Sequence, residues 1–202
     1  MINMFQSIEN ESIAEIIVKK SKFIATLYEA NSKDEAEKIL QNVRKKYFDA
    51  KHHCYAYIIE KIEKCSDDGE PSGTAGAPLL ALLKSANLTN VIIIVTRYFG
   101  GILLGTGGLV RAYTESAKNA IENAKIVYKD YGIQFEIEIS YNNLKEILFI
   151  CKNLDISIIK IEYQENVKLI LESTFEAKKE LEKSNKILSQ REIKQLFVTI
   201  HS

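Results

Sequence analysis

Apolar residues run without interruption from Val91 to Val95, and all five are β-branched. Such a run is too short to span a membrane and is typical of a strand that is covered on both faces. A dense group of glycines follows, at Gly100, Gly101, Gly105, Gly107 and Gly108. Small and apolar residues then recur at helical spacing from Leu109 to Ala124. The pattern therefore predicts a central strand, a glycine-rich loop and a helix that form one unit.

The residues before this segment predict a hairpin, a helix and a third strand. Two β-type runs, Ser12 to Lys19 and Lys22 to Glu29, flank a basic turn and indicate the hairpin. Ser32-Lys33-Asp34-Glu35 has the pattern of a capping box and predicts a helix whose apolar stripe includes Tyr47. His52 to Glu60 is rich in aromatic and β-branched residues, which favours a strand.

A loop and a second helix are predicted between this third strand and the central strand. Cys65 to Gly76 is rich in Asp, Ser, Gly and Pro, which are turn residues. The following helix should run from about Ala75 to Ala86, with Thr74 or Ser72 as its N-cap. Pro78 is compatible with the first turn of that helix, because its missing amide hydrogen would have no partner there.

After Ala124 the pattern changes to that of a half-buried sheet. Tyr131 to Ile139 alternates apolar and polar residues, and a helix is predicted near Leu144 to Leu154. Two strands are predicted next, at Ile156–Tyr163 and Val167–Ser173, with a bulge in the first at Ile158 and Ile159. A helix follows, capped by Ser173-Thr174-Phe175-Glu176 and bearing Ala177, Leu181 and Leu188. The last predicted strand is Ile193–His201. The order β-α-β-β-α-β is that of the ferredoxin-like, split βαβ motif. The fold class is therefore α+β, with one domain in residues 1–127 and a second in residues 128–202.

Composition narrows the class of protein. Lys plus Arg equals Asp plus Glu at 27 each, so net charge gives no support to strong nucleic-acid binding. The three cysteines, Cys54, Cys65 and Cys151, are far apart and form no CxxC pair, which favours a reducing, cytoplasmic setting over a disulfide framework or a zinc site. No apolar run approaches the length of a spanning helix, and the N-terminus does not resemble a signal peptide. We therefore expect a cytoplasmic protein with no membrane partner.

The glycine-rich segment is the first candidate for chemistry. A strand, a glycine loop and a helix N-terminus together present backbone amides to an anion. Both nucleotide fingerprints fail, because no lysine precedes Thr106 and the third glycine of the dinucleotide motif is missing. Arg97 and Arg111 flank the loop and could reach an anion held there. Equally, the glycines could permit tight packing while Arg111 pairs with Glu115.

Two further segments carry candidate residues. The segment from Asp67 to Thr74 contains three carboxylates within a turn. We favour the interpretation that these residues form a turn and a helix cap, and the alternative is that they are oxygen ligands for Mg²⁺. His52 and Cys54 share one face of a predicted strand and could in principle form a nucleophilic pair, although a buried cysteine is the more frequent case. A small basic patch is also possible, made of Lys19, Lys20, Lys22, Lys51 and His52, if these residues gather on one side.

Four segments resemble a known family. They are VKKSKFIA, HHCYAY, DDGEPSGTAGAPLL and VIIIVTRYFGGILLGTGGLVRAY, and together they resemble the IMPACT family in its bacterial, two-domain, YigZ-like form. The resemblance implies an N-terminal domain with the ribosomal protein S5 domain 2-like fold and a C-terminal ferredoxin-like domain similar to domain V of elongation factor G. Eukaryotic relatives modulate translational control by competing for an activator of an initiation-factor kinase, but they carry an additional N-terminal domain with no counterpart in this sequence.

The leading functional hypothesis is a non-enzymatic cytoplasmic binding or regulatory protein linked to translation, with a protein, the ribosome or RNA as its partner. Its binding surface is predicted to include Lys22, His52, Asp67, Asp68, Glu70, Ser72, Thr74, Arg97, Tyr98, Gly100, Gly101, Gly105, Gly107, Gly108 and Arg111. No catalytic residue, metal ion or cofactor is assigned. The alternative is an enzyme or sensor for a small phosphorylated ligand at the glycine-rich loop and helix N-terminus. Broad RNA binding through both domains is a third possibility, which the neutral charge balance disfavours.

Overall fold

A computed structural model describes residues 4–200, which form two compact units. The first, here called the N-terminal unit, is Phe5–Val127. The second, the C-terminal unit, comprises residues 128–200 together with Met4. The described residues form two β-sheets and five α-helices, so the protein belongs to the α+β class.

The N-terminal unit contains six strands and three helices. Its elements are β1 (Phe5–Ile8), β2 (Ser12–Val18), β3 (Ser21–Glu29), α1 (Lys33–Lys46), β4 (His52–Ile59), β5 (Ile62–Ser66), α2 (Gly76–Ser85), β6 (Val91–Tyr98) and α3 (Thr106–Glu122). Five of the strands form an antiparallel sheet in the order β2-β3-β6-β4-β5. The predicted central strand, β6, is therefore in the middle of the sheet.

Strand β6 is covered on both faces, as its continuous apolar sequence predicts. Val91, Ile93 and Val95 belong to a hydrophobic cluster that also contains residues of α2 and α3. Ile92 and Ile94 point to the opposite face, where they join a second cluster with residues of α1. Successive side chains of a strand point to opposite faces, so one strand can supply both clusters.

The structure corrects three predictions for this unit. A strand that the sequence did not predict, β1, lies within the acidic N-terminal segment, where the carbonyl of Gln6 accepts a hydrogen bond from the amide of Thr89 at 2.8 Å. Strand β5 extends into the segment that was predicted to be a loop from Cys65. Helix α2 begins at Gly76 and has no side-chain cap from Thr74 or Ser72. The predicted hairpin and the Ser32 cap of α1 are confirmed.

The C-terminal unit has the predicted element order. Its elements are β7 (Ile126–Ile139), a short 3-10 helix (Tyr141–Asn143), α4 (Leu144–Asn153), β8 (Ser157–Tyr163), β9 (Val167–Thr174), α5 (Phe175–Leu181) and β10 (Ile187–Ile200). The strands pair in the order β10-β7-β9-β8, and every pair is antiparallel. A single cluster covers one face, where Ile133, Phe135, Ile137 and Ile139 of β7 meet α4 and α5.

Two boundaries in this unit differ from the prediction. Helix α5 ends at Leu181, so Leu188 is not part of it but lies in β10. Strand β10 begins at Ile187 rather than Ile193, and the predicted end of this strand at His201 lies outside the described residues. The bulge is confirmed by a register shift between Ile158 and Lys160. None of the helices in residues 4–200 has the length and apolar character needed to cross a bilayer.

Candidate functional site

A cavity of about 430 Å³ lies in the N-terminal unit where the predicted site segments meet. We call it the loop cavity, and it is lined by Lys51, His52, Glu70, Pro71, Arg97, Phe99, Leu103, Leu104, Gly105, Thr106 and Leu109. A larger cavity of about 660 Å³ lies in the C-terminal unit, but none of the predicted site residues lines it. The loop cavity is mostly apolar with a few convergent polar groups, which is the usual character of a binding site.

A buried ion pair forms the base of the loop cavity. Arg97, at the end of β6, donates from Nη1 to Oε1 of Glu70 at 2.6 Å, and both side chains are more than nine-tenths buried. The hydroxyl of Tyr113, on α3, donates to the same oxygen at 2.8 Å. The Arg97 guanidinium also lies over the rings of Phe23 and Phe99, at 5.4 and 5.5 Å. These contacts join the 67–76 loop to the sheet and to α3.

Asp67 holds the same loop from within and takes the capping role predicted for Thr74 or Ser72. Its Oδ1 accepts hydrogen bonds from the amides of Ala75 and Gly76 at 2.9 and 2.8 Å, and its Oδ2 accepts one from Gly73 at 2.9 Å. Partial burial raises the pKa of Asp67, but the three amide hydrogen bonds outweigh it and lower the pKa below its usual value. The carboxylate therefore serves as a remote N-cap for α2.

Asp68 fastens the loop to the neighbouring strand and helix. One carboxylate oxygen accepts from Arg44 of α1 at 2.6 Å, and the other accepts from the backbone amide of His53 at 2.7 Å. The backbone carbonyl of Asp68 accepts from Nδ1 of His52 at 2.9 Å. Because a carbonyl can only accept, this contact places the proton of neutral His52 on Nδ1 and leaves Nε2 as an acceptor. The carboxylates of Asp67, Asp68 and Glu70 thus all have partners inside the protein.

The second loop of the site, residues 99–105, is tied to the β2–β3 hairpin through Gly100. Its amide donates to Oγ of Ser21 at 3.1 Å. A Cβ atom at Gly100 would lie only 2.0 Å from the backbone carbon of Lys20, so this glycine is needed for close packing of two backbones. Gly101 and Gly105 instead have positive φ angles, of 83° and 70°, and face open space. The glycines of the loop therefore have two different structural purposes.

The start of α3 forms one edge of the loop cavity. Gly105 is the N-cap and offers no side-chain hydrogen bond, and the first turn contains no acidic residue. Arg111 folds back over this turn, since its Nη1 lies 3.9 Å from the position that a Cβ atom of Gly107 would take. Within residues 4–200 Arg111 has no hydrogen bond or ion pair, so the predicted pairing with Glu115 is absent.

The structure does not support a nucleophilic role for Cys54. Burial, reinforced by the negative charges of Glu70, Asp68 and Asp67, raises the pKa of Cys54 to about 12. Its thiol donates to the carbonyl of Asp67 at 2.9 Å. Burial, with Cys54 and Glu70 as neighbours, likewise raises the pKa of Tyr113. A thiolate would therefore be scarce near neutral pH, and the thiolate is the reactive species.

Several predicted site residues do not reach the loop cavity. Lys22 and Tyr98 are paired across β3 and β6 on the face opposite Arg97, where Lys22 contacts Glu15 at 3.3 Å and Tyr98 donates to Asp49 at 2.7 Å. Ser72 is exposed, and the hydroxyl of Thr74 donates to the carbonyl of Pro71 at 2.6 Å. Within the described residues, no group of three or more His, Cys, Asp or Glu side chains is arranged to hold a metal ion.

Four residues of the site carry no functional signal that the sequence alone made clear. Phe99, Leu103 and Leu104 form the apolar wall of the loop cavity, although they lie in a segment that was noted only for its glycines. Their signal was present, because apolar side chains are unexpected in a glycine-rich surface loop. Tyr113 lies within the predicted helical segment Leu109 to Ala124, and nothing in its spacing indicated a contact with Glu70.

The chain is similar to proteins of one family. Residues 19–121 match the family model of the Impact N-terminal domain. The chain is 37% identical to the IMPACT family member YvyE of Bacillus subtilis over 83% of its own length and 78% of that protein. It is 36% identical to the IMPACT family member YigZ of Escherichia coli, over 73% of this chain and 74% of that one. A crystal structure of a hypothetical protein aligns with a TM-score of 0.66 at 31% identity and covers 90% of each chain.

Proposed function

Because the chain belongs to the IMPACT family, we propose that it is a non-enzymatic regulatory protein that binds a translation-related partner through its N-terminal unit. The partner surface consists of the 67–76 loop, the 99–105 loop and the first turns of α3. Translation enters this proposal through the resemblance to eukaryotic family members that modulate translational control. The partner is accordingly a protein, the ribosome or RNA of the translation apparatus.

The observation that carries the proposal is a group of exposed apolar side chains on the 99–105 loop. Phe99, Ile102 and Leu103 are 47%, 43% and 82% exposed. Grouped apolar exposure of this kind is typical of interaction surfaces. Lys51 lines the loop cavity together with Phe99 and Leu103, so the surface suits a partner segment that combines apolar and acidic groups.

The way in which the two loops are held also supports binding. The 67–76 loop is fixed by the three amide contacts of Asp67 and by the Glu70–Arg97 pair. The 99–105 loop is fixed at Gly100 against the hairpin. Loops that are ordered before association lose less conformational entropy when a partner binds.

Two domain assignments and a location are part of the proposal. The C-terminal unit, with strand order β10-β7-β9-β8 and two helices on one face, is assigned a ferredoxin-like fold similar to domain V of elongation factor G. The N-terminal unit is assigned the ribosomal protein S5 domain 2-like fold. Three cysteines that form no disulfide fit a cytoplasmic setting.

Quantitative affinity capture from a bacterial lysate tests the proposal. The bait proteins are the wild type, Leu103→Asp on the partner surface, and Leu188→Asp in the C-terminal unit. Leu103 and Leu188 are 82% and 60% exposed, so neither change should unfold the protein. We expect translation components to be captured by the wild type and by Leu188→Asp, and to be depleted with Leu103→Asp.

Two outcomes would contradict the proposal. Equal capture by all three baits would show that the 99–105 loop is not the binding surface. A set of captured proteins without translation components would remove the link to translation. Capture that is abolished by nuclease and falls steeply with salt would identify RNA as the partner, since phosphate contacts release counterions.

A further inference from the structure

Strand β8 forms one edge of the sheet of the C-terminal unit. Within residues 4–200 it pairs with β9 on one side and with no strand on the other. Its side chains include Ile158, Ile159 and Tyr163, which are 38%, 52% and 63% exposed. An edge strand presents unpaired backbone amides and carbonyls, and exposed apolar side chains make pairing with another strand more favourable. The free edge of β8 is therefore a candidate for pairing with a further strand.

The opposite edge of the same sheet, β10, is protected against such pairing. Its pairing with β7 contains two register shifts, and the exposed charged residues Arg191, Glu192 and Lys194 lie in its middle. Irregularities and charges of this kind are the devices by which proteins block edge strands. Strand β8 has one register shift, near its start, and its pairing with β9 is regular from Lys160 to Tyr163. This part of the edge is available for a second strand.

The end of β8 is held in place before any association. The hydroxyl of Tyr141 donates to the backbone carbonyl of Gln164 at 2.7 Å, and its ring stacks on that of Tyr163 with the centroids 6.3 Å apart. The amide of Gln164 donates to the carbonyl of Asn166 at 3.0 Å. A strand that is ordered in advance loses less conformational entropy when another strand pairs with it.

Two charged residues in the regular part of β8 make the strand complementary to itself. Lys160 and Glu162 lie two positions apart and therefore point to the same face of the sheet. Nζ of Lys160 is 2.5 Å from the Glu162 carboxylate, and both side chains are largely open to solvent. Because they carry opposite charges, each could instead pair with the other residue of a second, antiparallel copy of the strand.

Symmetry restricts the register of such a pair. Directly opposite residues of an antiparallel pair point to the same face, so a two-fold axis perpendicular to the sheet must place one residue opposite its own copy. With Lys160 or Glu162 on the axis, a charged residue would face its own copy, and like charges that are directly opposite destabilise a sheet. Only an axis at Ile161 places Lys160 of each copy opposite Glu162 of the other.

We propose that β8 pairs with β8 of a second copy of this chain, antiparallel and centred on Ile161, so that the two sheets become one continuous sheet. This register forms two ion pairs between Lys160 and Glu162, one on each side of the axis. It also brings Ile159 of each copy beside Tyr163 of the other, which covers exposed apolar surface. The dimer goes beyond the proposed function, because it uses the C-terminal unit and none of the residues of the partner surface.

Sedimentation equilibrium of the full chain over a range of concentrations tests the dimer. We expect the wild type to be in equilibrium between monomer and dimer. Lys160→Glu should raise the dissociation constant about tenfold, because both ion pairs across the axis become like-charge pairs. The double variant Lys160→Glu/Glu162→Lys restores unlike charges and should return the constant to near the wild-type value. Lys194→Glu makes the same change on β10 and should leave the constant unchanged.

A disulfide across the axis tests the register without relying on charge. Ile161 is half-buried, and its copy would lie about 4.5–5.5 Å away between Cα atoms, which is within the reach of a disulfide. We expect Ile161→Cys to form cross-linked dimers on mild oxidation in a Cys65→Ser background, since Cys65 is exposed while Cys54 and Cys151 are buried. Ile193→Cys on β10 is the matched control and should not cross-link.

Four results would overturn the dimer. They are a monomeric mass at every concentration up to millimolar, equal dissociation constants for the wild type and Lys160→Glu, no recovery in the double variant, and no cross-link at Ile161→Cys. A monomer whose capture of another protein is lost in Lys160→Glu would assign the β8 edge to that protein instead. None of these results depends on partner capture by the Leu103→Asp bait, so the dimer and the partner surface can fail independently.

Discussion

Both units are built on an antiparallel sheet. Hydrophobic clusters cover both faces of the N-terminal sheet, whereas helices pack on one face of the C-terminal sheet. In β6 of the N-terminal unit, apolar side chains point alternately into two clusters. In β7 of the C-terminal unit, the alternate positions are polar and pair with neighbouring strands, as Gln134 does with Glu172 at 2.7 Å. The first sheet therefore serves as a rigid support on which loops can be fixed by buried polar contacts.

The two units also differ in how deeply their ion pairs are buried. The N-terminal unit holds its ion pair between Arg97 and Glu70 almost completely buried. In the C-terminal unit, Arg191 pairs with Glu136 at 3.3 Å while the arginine side chain remains 72% exposed. Removing one partner of a buried ion pair strongly destabilises the fold, whereas an exposed ion pair contributes little to stability. The comparison can be tested by removing equivalent contacts from each unit.

The largest difference in stability loss between the two units should come from substitutions in their ion pairs. Arg97→Met leaves the buried Glu70 carboxylate without its cation and should reduce the free energy of unfolding of the N-terminal unit by about 3–5 kcal/mol. Arg191→Met should cost less than about 1 kcal/mol. Denaturant unfolding combined with hydrogen exchange of each unit measures both losses. Replacing both partners, in Arg97→Met/Glu70→Leu, should recover part of the loss, and similar losses in the two single variants would contradict this comparison.

Glycine substitutions should destabilise each unit separately. Gly100→Ala places a Cβ atom 2.0 Å from the backbone of Lys20, and Gly132→Ala places one 2.4 Å from the carbonyl oxygen of Ser173. Each should cost about 2–4 kcal/mol, because backbone atoms must move to make room. Gly107→Ala is the control and should not destabilise. Hydrogen exchange by mass spectrometry should show the loss of protection in the substituted unit, and wild-type protection in Gly100→Ala would refute the packing role of this glycine.

Acid should weaken the N-terminal unit through Asp67. The lowered pKa of Asp67 means that the unfolded chain binds its proton more readily than the folded chain. This contribution is present above the usual aspartate pKa, and it is lost as pH falls through the lower folded value. The free energy of unfolding of the wild type should therefore decrease as the pH is lowered from neutral to acid. The slope of this decrease should be smaller in Asp67→Asn. Asp34→Asn, an exposed aspartate of α1, is the control, and an unchanged slope in Asp67→Asn would exclude Asp67 as its source.

The smallest losses of stability should come from removing one helix cap in each unit. Oγ of Ser32 accepts from the amide of Glu35 in α1, and Oγ1 of Thr174 accepts from the amide of Ala177 in α5, both at 3.2 Å. Each substitution to alanine should cost about 1 kcal/mol. The loss at Ser32 should be the smaller, since the Glu35 carboxylate still accepts from the amide of Asn31 at 2.8 Å. Thermal unfolding of the two variants checks this order, and a larger loss at Ser32 would contradict it.

The regular elements could be predicted because their signals are local. The alternation in β7, the apolar run of β6 and the Ser32 cap each lie within a short stretch of sequence, and each predicts the element that forms. Strand β5 was missed because it is an edge strand with mostly exposed side chains, which carry no apolar alternation. Leu188 was placed in α5 because helix ends are weakly encoded when no glycine or proline follows.

The candidate site was only partly predictable, because its contacts are not local. The sequence drew attention to Arg97, Glu70 and the glycines, and it placed them in or beside loops next to a buried strand. The fold decided which of them meet, since Glu70 contacts Arg97 across 27 positions and Gly100 contacts Ser21 across 79. It also separated Lys22 and Tyr98 from the others by placing them on the opposite face of the sheet.

Local sequence thus determined that a buried strand, a glycine-rich loop and a helix follow one another from Val91 to Glu122, because backbone preference and side-chain spacing act over a few residues. It also determined where backbone freedom would be concentrated. Tertiary structure alone decided that Gly100 serves packing, that Asp67 caps α2, and that Gly107 has the tip of Arg111 as its neighbour. These contacts depend on distances between segments far apart in the chain, and only the paired sheet fixes those distances.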